Sequence, residues 1–374
     1  MEVIKYLMRR SWVLPAGVPS NRKRFLAQNE YSRLKWVFKF FKRRLLCFIL
    51  IEHFGLTREC SRIDPKHKRI LWINWAAPSL GDSLMDLSGR VLLEGRDLIL
   101  LTHPKNASLY ARDPVFSSVF SDSRALLVAL GNIQFDLVIC DSYSPRALIQ
   151  KLKISPFTPF VGLYGFVNGF EVHRTLFAFA RMRELLDDQV VIKCPKRPTV
   201  WHEKRLKASD GCDVCIAVGG EWEFRTYGHW VPIARWLVAR GLSVLLVGSC
   251  NGTRMATEIC VKVPSVKSKV GESSLPGVVA DIAKSRVFIG SDGGLWHIAC
   301  GIPIPSVVLF ADCQIFDENG KRVTRETQDI ICEVLYDDVN VSNIAVSAVI
   351  SAFERLAERI DLHATPFYSE APAR

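Results

Sequence analysis

Residues 287–310 read VFIGSDGGLWHIACGIPIPSVVLF, and their order decides the fold. Val287–Ile289 is an apolar run of strand length that enters Ser291-Asp292-Gly293-Gly294. A helix then opens near Gly294, and Pro305–Phe310 is a second β-branched run. Strand, helix and strand in such quick succession form a crossover unit, which requires a parallel sheet.

The same alternation extends in both directions. Upstream it gives strand Asp213–Val218, helix Trp230–Arg240, strand Leu242–Gly248 and helices Met255–Val261 and Leu275–Ala283. Further back it gives strand Arg69–Ala76, helix Ser83–Glu94, strands Asp97–Thr102, Phe135–Ser142 and Pro159–Phe166, and helix His173–Asp187. Lys193–Asp210 interrupts this pattern with Pro195 and Pro198, as linkers do. The expectation is an α/β protein of two doubly wound halves facing a cleft: residues 66–195, residues 196–340, and a C-terminal helix and tail, 341–374. The terminal helix, Val341–Ile360, is long enough to cross back onto the first half.

Composition agrees with two packed bodies, since 374 residues exceed one ordinary core and the chain is 49% hydrophobic and 23% charged. The net charge of +11 is localised. Residues 1–44 hold twelve Lys and Arg against Glu2 and Glu30, a net +10, which leaves about +1 for the rest. A nucleic-acid-binding body spreads its charge over folded surface, whereas here it is confined to an N-terminal extension, residues 1–65, with Trp36, Phe38, Phe40 and Phe41 interleaved. That favours an anionic membrane surface over nucleic acid, with residues 1–51 as the contact. The competing reading is a basic helix, Ser32–Ile51, packed on the protein by its aromatic side. The uncharged run Leu45–Ile51 is too short to span a bilayer, and no long apolar stretch follows Arg9 and Arg10 as in a secretory signal. The expected location is the cytoplasm, peripheral on the inner face of its membrane. Eleven scattered cysteines read as reduced thiols, and Cys212-Asp-Val-Cys215 lacks a second pair that would complete a metal site.

Two segments carry candidate chemistry. Ser291, Asp292, Gly293 and Gly294 put free backbone N–H groups at a helix start, which suits a phosphate or pyrophosphate, and His297 lies about one turn in. Read alone, the segment also suits an Asp cap and a tight turn. It is neither G-x-G-x-x-G nor a P-loop, so an oxidoreductase or a nucleoside triphosphatase fits poorly. In Ile70–Leu87, ILWINWAAPSLGDSLMDL, Asp82 follows the first strand, where open α/β sheets bind ligands. A carboxylate there can accept a proton from an attacking hydroxyl, or simply cap the helix. Gly219-Gly220-Glu221 and Ser249–Gly252 occupy strand ends on the same side of the second half.

Together, Ser79-Leu80-Gly81-Asp82 and Ser291-Asp292-Gly293-Gly294-Leu295-Trp296-His297-Ile298-Ala299, followed by Gly301-Ile302-Pro303, resemble the signatures of family 9 glycosyltransferases, the heptosyltransferases. The resemblance extends over about residues 66–312. It implies a GT-B architecture and an inverting, metal-independent transfer of heptose from an ADP-activated donor to a lipopolysaccharide-type acceptor, with no cofactor. Asp82 is then the general base, Ser79 and Gly81 lie on the acceptor side, and Ser291, Asp292, Gly293, Gly294 and His297 hold the donor. Two positions depart from the family pattern. Gly293 replaces a hydroxyl residue, and Gly228 stands near where a Lys is expected in EWEFRTYGHWV, residues 221–231. Arg225, with Gly220 beside it, is the substitute candidate for the diphosphate. These departures keep open a transferase using another nucleotide sugar for capsule, O-antigen or protein, and a non-catalytic nucleotide-sugar-binding protein.

Overall fold

The computed structural model describes residues 38, 41–55, 57–75, 78–131, 133–164, 174–187, 197–202, 211–311 and 330–362. Residues 1–37, Ala76, Phe166, His173, Lys193–Lys196 and the linker part 203–210, on which several expectations fall, lie outside them. The chain forms two compact units, the second beginning at Arg197.

The first unit is a five-stranded parallel sheet of β1 (Arg69–Asn74), β2 (Asp97–Thr102), β3 (Ser118–Phe120), β4 (Leu137–Ser142) and β5 (Phe160–Tyr164) in the order β3-β2-β1-β4-β5. Strands buried on both faces must be apolar throughout, and β1 is buried at every position after Arg69. Alternate residues feed opposite faces. Leu71, Ile73, Ile99, Leu101, Val138, Cys140 and Phe160 pack with Leu126 of helix α4 (Ser123–Leu130) and Ala147 and Leu148 of α5 (Pro145–Ile154). Helix α1, residues 41–48, joins this face through Leu46, Cys47 and Phe48, and Leu50 follows from the turn Ile49–His53. Of its described aromatic residues, Phe48 thus faces the core while Phe41 lies outward.

The second unit repeats the plan with six parallel strands: β6 (Val214–Ala217), β7 (Val244–Val247), β8 (Lys267–Ser268), β9 (Val287–Ser291), β10 (Ser306–Phe310) and β11 (Cys332–Tyr336). Their order is β11-β10-β9-β6-β7-β8. Both sheets therefore reverse direction beside their first strand, at β1/β4 and at β6/β9. Helices α7 (Trp230–Ala239), α8 (Thr253–Lys262), α9 (Leu275–Lys284) and α10 (Gly294–Gly301) connect the strands. No helix among the described residues is long and apolar enough to cross a membrane.

Two expectations are corrected. The helix read over Ser83–Glu94 starts at Leu80 and divides into α2 (Leu80–Asp86) and a 3-10 stretch, Leu87–Leu93. Ser88 Oγ donates back to Leu84 O at 2.9 Å, and Gly89 follows it, so the α-ladder is contested where it breaks. The break also brings Arg90 to Asp113, which accepts from both its Nε (2.8 Å) and Nη2 (2.6 Å) in a buried pair. The terminal helix read over Val341–Ile360 is α11 (Val346–Arg359), preceded by a separate 3-10 turn at Val341–Asn343. It packs on β10, β11 and α7 by Phe353 and Leu356, and Arg355 and Arg359 bind Glu333 at 3.0 and 2.8 Å. An edge strand needs a cover, and the adjacent helix supplies it.

Burial sets a pH dependence. The thiols of Cys140 and Cys215 are pushed well above the ordinary range by desolvation, whereas the Lys151 ammonium, buried against Thr57 and Pro156 O, is lowered to about 8. Above pH ~8.5 the unfolded thiols lose protons that the folded ones keep, which removes about 1.4 kcal/mol of stability per thiol per pH unit. Lys151 has the opposite sign up to its unfolded pKa of about 10.4, because there the unfolded chain binds the extra proton. Urea midpoints under reducing conditions are expected to fall above pH ~9. Cys140→Ala should flatten that slope and Lys151→Met should steepen it.

Candidate functional site

On the first unit the site is built at the β1/β4 reversal. Ser79 is the N-cap of α2 with φ −73° and ψ 140°, and its carbonyl accepts from Ser83 N at 3.0 Å. Gly81 is buried in the first turn, so it offers no outward contact of its own. Asp82 is not the cap. Its Oδ1 lies 2.8 Å from Nη1 of Arg174, the first residue of α6 (Arg174–Leu185). Arg174 also donates from Nε (2.5 Å) and Nη2 (2.7 Å) to the two oxygens of buried Asp86. Asp82 and Asp86 are four apart and share one side of α2, so a single guanidinium spans both. This fixes the Asp82 carboxylate, which remains half exposed, in one orientation.

Behind it, Ser83 Oγ donates to Asn74 Oδ1 at 2.6 Å and meets Tyr110 Oη at 2.9 Å, and Thr102 Oγ1 donates to Asn74 Oδ1 at 3.3 Å. Tyr110 closes helix α3 (Pro104–Tyr110). Burial pushes its phenol well above the ordinary range, so it stays a protonated donor. This polar cluster fixes the end of β1 under Asp82. Arg174, Asp86 and Asn74 were not singled out by sequence reasoning. The four-residue spacing of Asp82 and Asp86 was a usable signal, but nothing local points to Arg174, 88 residues beyond Asp86.

On the second unit the β6/β9 reversal gathers three loops. After β9, Asp292 N donates to Leu309 O at 2.9 Å, and Gly293 is the N-cap of α10 in an extended conformation, φ 170° and ψ −173°. Gly294 opens the helix, and half-buried His297 closes its first turn by donating N–H to Gly293 O at 3.2 Å. Trp296 points the other way, buried edge-to-face on Phe310 with centroids 6.2 Å apart.

Asp292 faces Arg225 instead of turning to its own helix, with Oδ2 3.5 Å from Arg225 Nη1. Arg225 ends the 3-10 turn Glu223–Arg225, and Glu221 and Glu223 are exposed. Gly220 O accepts from Asn251 Nδ2 at 2.7 Å, which ties the β6 loop to Ser249–Gly252. Gly219, at φ +86°, is required there, since an added Cβ would lie 2.8 Å from Gly252 Cα. The second motif, Gly220 and Arg225 thus meet at one sheet edge. Among the described residues no cluster of three or more His, Cys, Asp or Glu could hold a metal, and Cys212 Sγ sits 3.1 Å from Ser285 Oγ.

Gly228, where a cation is expected, is stitched to another segment. Gly228 N donates to Ser342 Oγ at 3.1 Å, Ser342 Oγ donates to Thr226 O at 3.0 Å, and Tyr227 Oη donates to Ile344 O at 3.0 Å. A Cβ at Gly228 would only touch Ser342 Oγ at 3.6 Å, so a side chain fits. Gly228→Lys is expected to fold normally and, on the donor reading that the motif resemblance implies, to tighten ADP binding by roughly 3- to 30-fold, the worth of one partly exposed charge-assisted contact. Calorimetric titration of ADP into both proteins checks this, and unchanged affinity would place residue 228 away from the phosphates.

Each sheet carries its loops at the reversal of strand order, where open α/β sheets bind ligands, and the fold is one of two Rossmann-like units. Residues 172–316 match the model of glycosyltransferase family 9 (heptosyltransferase). The resemblance drawn from the motifs is thereby borne out, and the chain is family 9-like, with the second motif inside the matched segment.

Lipopolysaccharide heptosyltransferase 2 of Salmonella typhimurium is 29% identical over 87 residues, 22% of this chain. That alignment spans only 25% of the relative's own length. Among solved structures, E. coli ADP-heptose lps heptosyltransferase II superposes with a TM-score of 0.60 at 16% identity, covering 78% of this chain and 99% of the other. The family 9 glycosyl transferase of Veillonella parvula superposes with a TM-score of 0.64 at 12% identity, covering 80% and 100%. At these identities the two structures speak for the fold.

Proposed function

We propose that this protein is an inverting glycosyltransferase that moves heptose, or a closely related sugar, from an ADP-activated donor to a hydroxyl of a lipopolysaccharide-type acceptor, on the cytoplasmic side of the membrane. The observation that carries the reading is the grouping of Asp292, Arg225 and the glycine start of α10 at the β6/β9 reversal, an arrangement that supports binding of a sugar diphosphate. In this reaction the acceptor oxygen bonds to the anomeric carbon as the bond from that carbon to the diphosphate breaks. The hydroxyl proton passes to Asp82 and ADP departs. Backbone N–H groups at Gly293 and Gly294 and the Arg225 guanidinium stabilise charge developing on the leaving diphosphate, so the reading invokes no metal and no cofactor. Asp292 orients Arg225, and His297 and Ser291 line the same loop. Ser79 and Gly81 shape the acceptor side through the backbone that presents Asp82.

The names of the Salmonella and E. coli relatives support ADP-heptose as donor and lipopolysaccharide as the setting. The stitching of Gly228 to Ser342 favours one second reading, the same transfer from a different nucleotide sugar. The experiment is release of nucleotide from ADP-heptose, UDP-sugars and GDP-sugars by the wild-type protein across acceptors. Selective turnover of ADP-heptose is expected. Selective turnover of a uridine or guanosine donor would replace the donor assignment, and nucleotide binding with no turnover of any donor would indicate a non-catalytic binding protein.

A further inference from the structure

Helix α1 buries its later residues and exposes its earlier apolar ones. Leu46, Cys47, Phe48 and Leu50 are taken up by the first sheet, whereas Phe41 and Leu45, four residues apart, are 50% and 39% exposed, and Phe38 just before them is 71% exposed. Lys42 is exposed between them. Large apolar side chains are not normally left in water along one helix side, and isolated ones need no explanation only when they are scattered. This side is continuous in sequence with the segment that holds nearly all of the chain's net charge, +10 within residues 1–44. Aromatic and aliphatic residues flanked by lysine and arginine match the boundary of an anionic bilayer, where rings enter the headgroup layer and cations meet phosphates.

The position of α1 is also directional. At its far end, Phe54 leads to Thr57, whose Oγ1 donates to Thr158 O at 3.4 Å beside the entry of β5. At its beginning, Arg43 is in electrostatic reach of Asp141, the residue before the last of β4, and of Arg174, the partner of Asp82, and burial draws its guanidinium below the ordinary range. The exposed phenylalanines therefore lie at the carboxyl edge of the first sheet, the edge that carries Asp82.

The geometry points to the beginning of α1 as an anchor that holds the first unit on an anionic lipid bilayer through Phe38, Phe41 and Leu45, with the Asp82 edge turned toward that surface. An acceptor carried on a lipid would then reach Asp82 without leaving the bilayer. That last consequence rests on the function proposed above, but attachment does not. Vesicle binding by a protein that turns over no nucleotide sugar would leave the anchor standing and sink only the function.

The test is co-sedimentation of the full chain with phosphatidylglycerol-containing vesicles and with pure phosphatidylcholine vesicles at physiological salt. Binding to the first and not the second is expected. Phe41→Ser with Leu45→Ser should weaken it roughly tenfold or more, because two apolar contacts with the bilayer are lost. Phe41→Leu should retain it. Val128→Ser, which removes an exposed apolar residue from α4, should leave it unchanged and controls for general stickiness. Thermal melts confirm that each variant is folded. Equal binding by the Phe41/Leu45 double variant, equal loss on Val128→Ser, or binding to single-stranded RNA with none to anionic vesicles would each overturn the proposal.

Discussion

Asp82→Asn is expected to lower sugar transfer by about 10²- to 10⁴-fold, the usual contribution of a positioned general base, while leaving ADP affinity unchanged. The amide preserves the volume of the side chain and can still face Arg174, so α2 and its cap at Ser79 remain in place. What is lost is the ability to take a proton. The alternative of removing Arg174 is a poorer test, because it would also deprive buried Asp86 of a bidentate partner and confuse stability with chemistry. Nucleotide release with saturating donor, read beside calorimetric ADP binding, separates the outcomes. Transfer unaffected by Asp82→Asn would show that the proton leaves by another route, and parallel loss of ADP affinity would make the residue structural.

The largest stability effect is expected at Arg90–Asp113. Both side chains are almost fully buried, and Asp113 Oδ1 additionally accepts from Val115 N at 3.1 Å. Asp113→Ala strands a guanidinium in the interior and should cost about 3–5 kcal/mol. The double change Arg90→Met with Asp113→Leu should cost far less, because no charge is left unpaired and apolar packing replaces the pair. Urea unfolding of both variants decides the point. Similar losses in the single and double variants would mean that the pair acts through shape and not through charge.

Much of this architecture was legible in the chain because parallel strands buried on both faces need unbroken apolar runs. Val287–Ser291 and Asp97–Thr102 were read within a residue or two of their ends for that reason. The short strands escaped. Ser118–Phe120 and Lys267–Ser268 are too brief to show a pattern, and Cys332–Tyr336 has the mixed burial of an edge. The Ser88-Gly89 break in the helix after β1 was visible in composition, yet periodicity across it masked the change of helix type. At the site, glycines and aspartates following strands were readable because backbone N–H groups and turns demand particular residues. Arg174 was not, because an ion pair across 92 residues leaves no local trace beside the many other arginines.

The union of Tyr227 with Ile344 and of Gly228 with Ser342 joins positions 117 and 114 residues apart. As the chain emerges from the ribosome, β6, β7 and β9 can pair before the loop bearing Arg225 has its final support. Domains generally fold from the N-terminal end during synthesis. The first unit can thus be complete, with Asp82 already held by Arg174, while the Arg225 loop of the second unit still waits for residues 341–344. A newborn protein of this design therefore completes the setting of the Arg225 loop last, so an unfinished chain carries that loop without its final support.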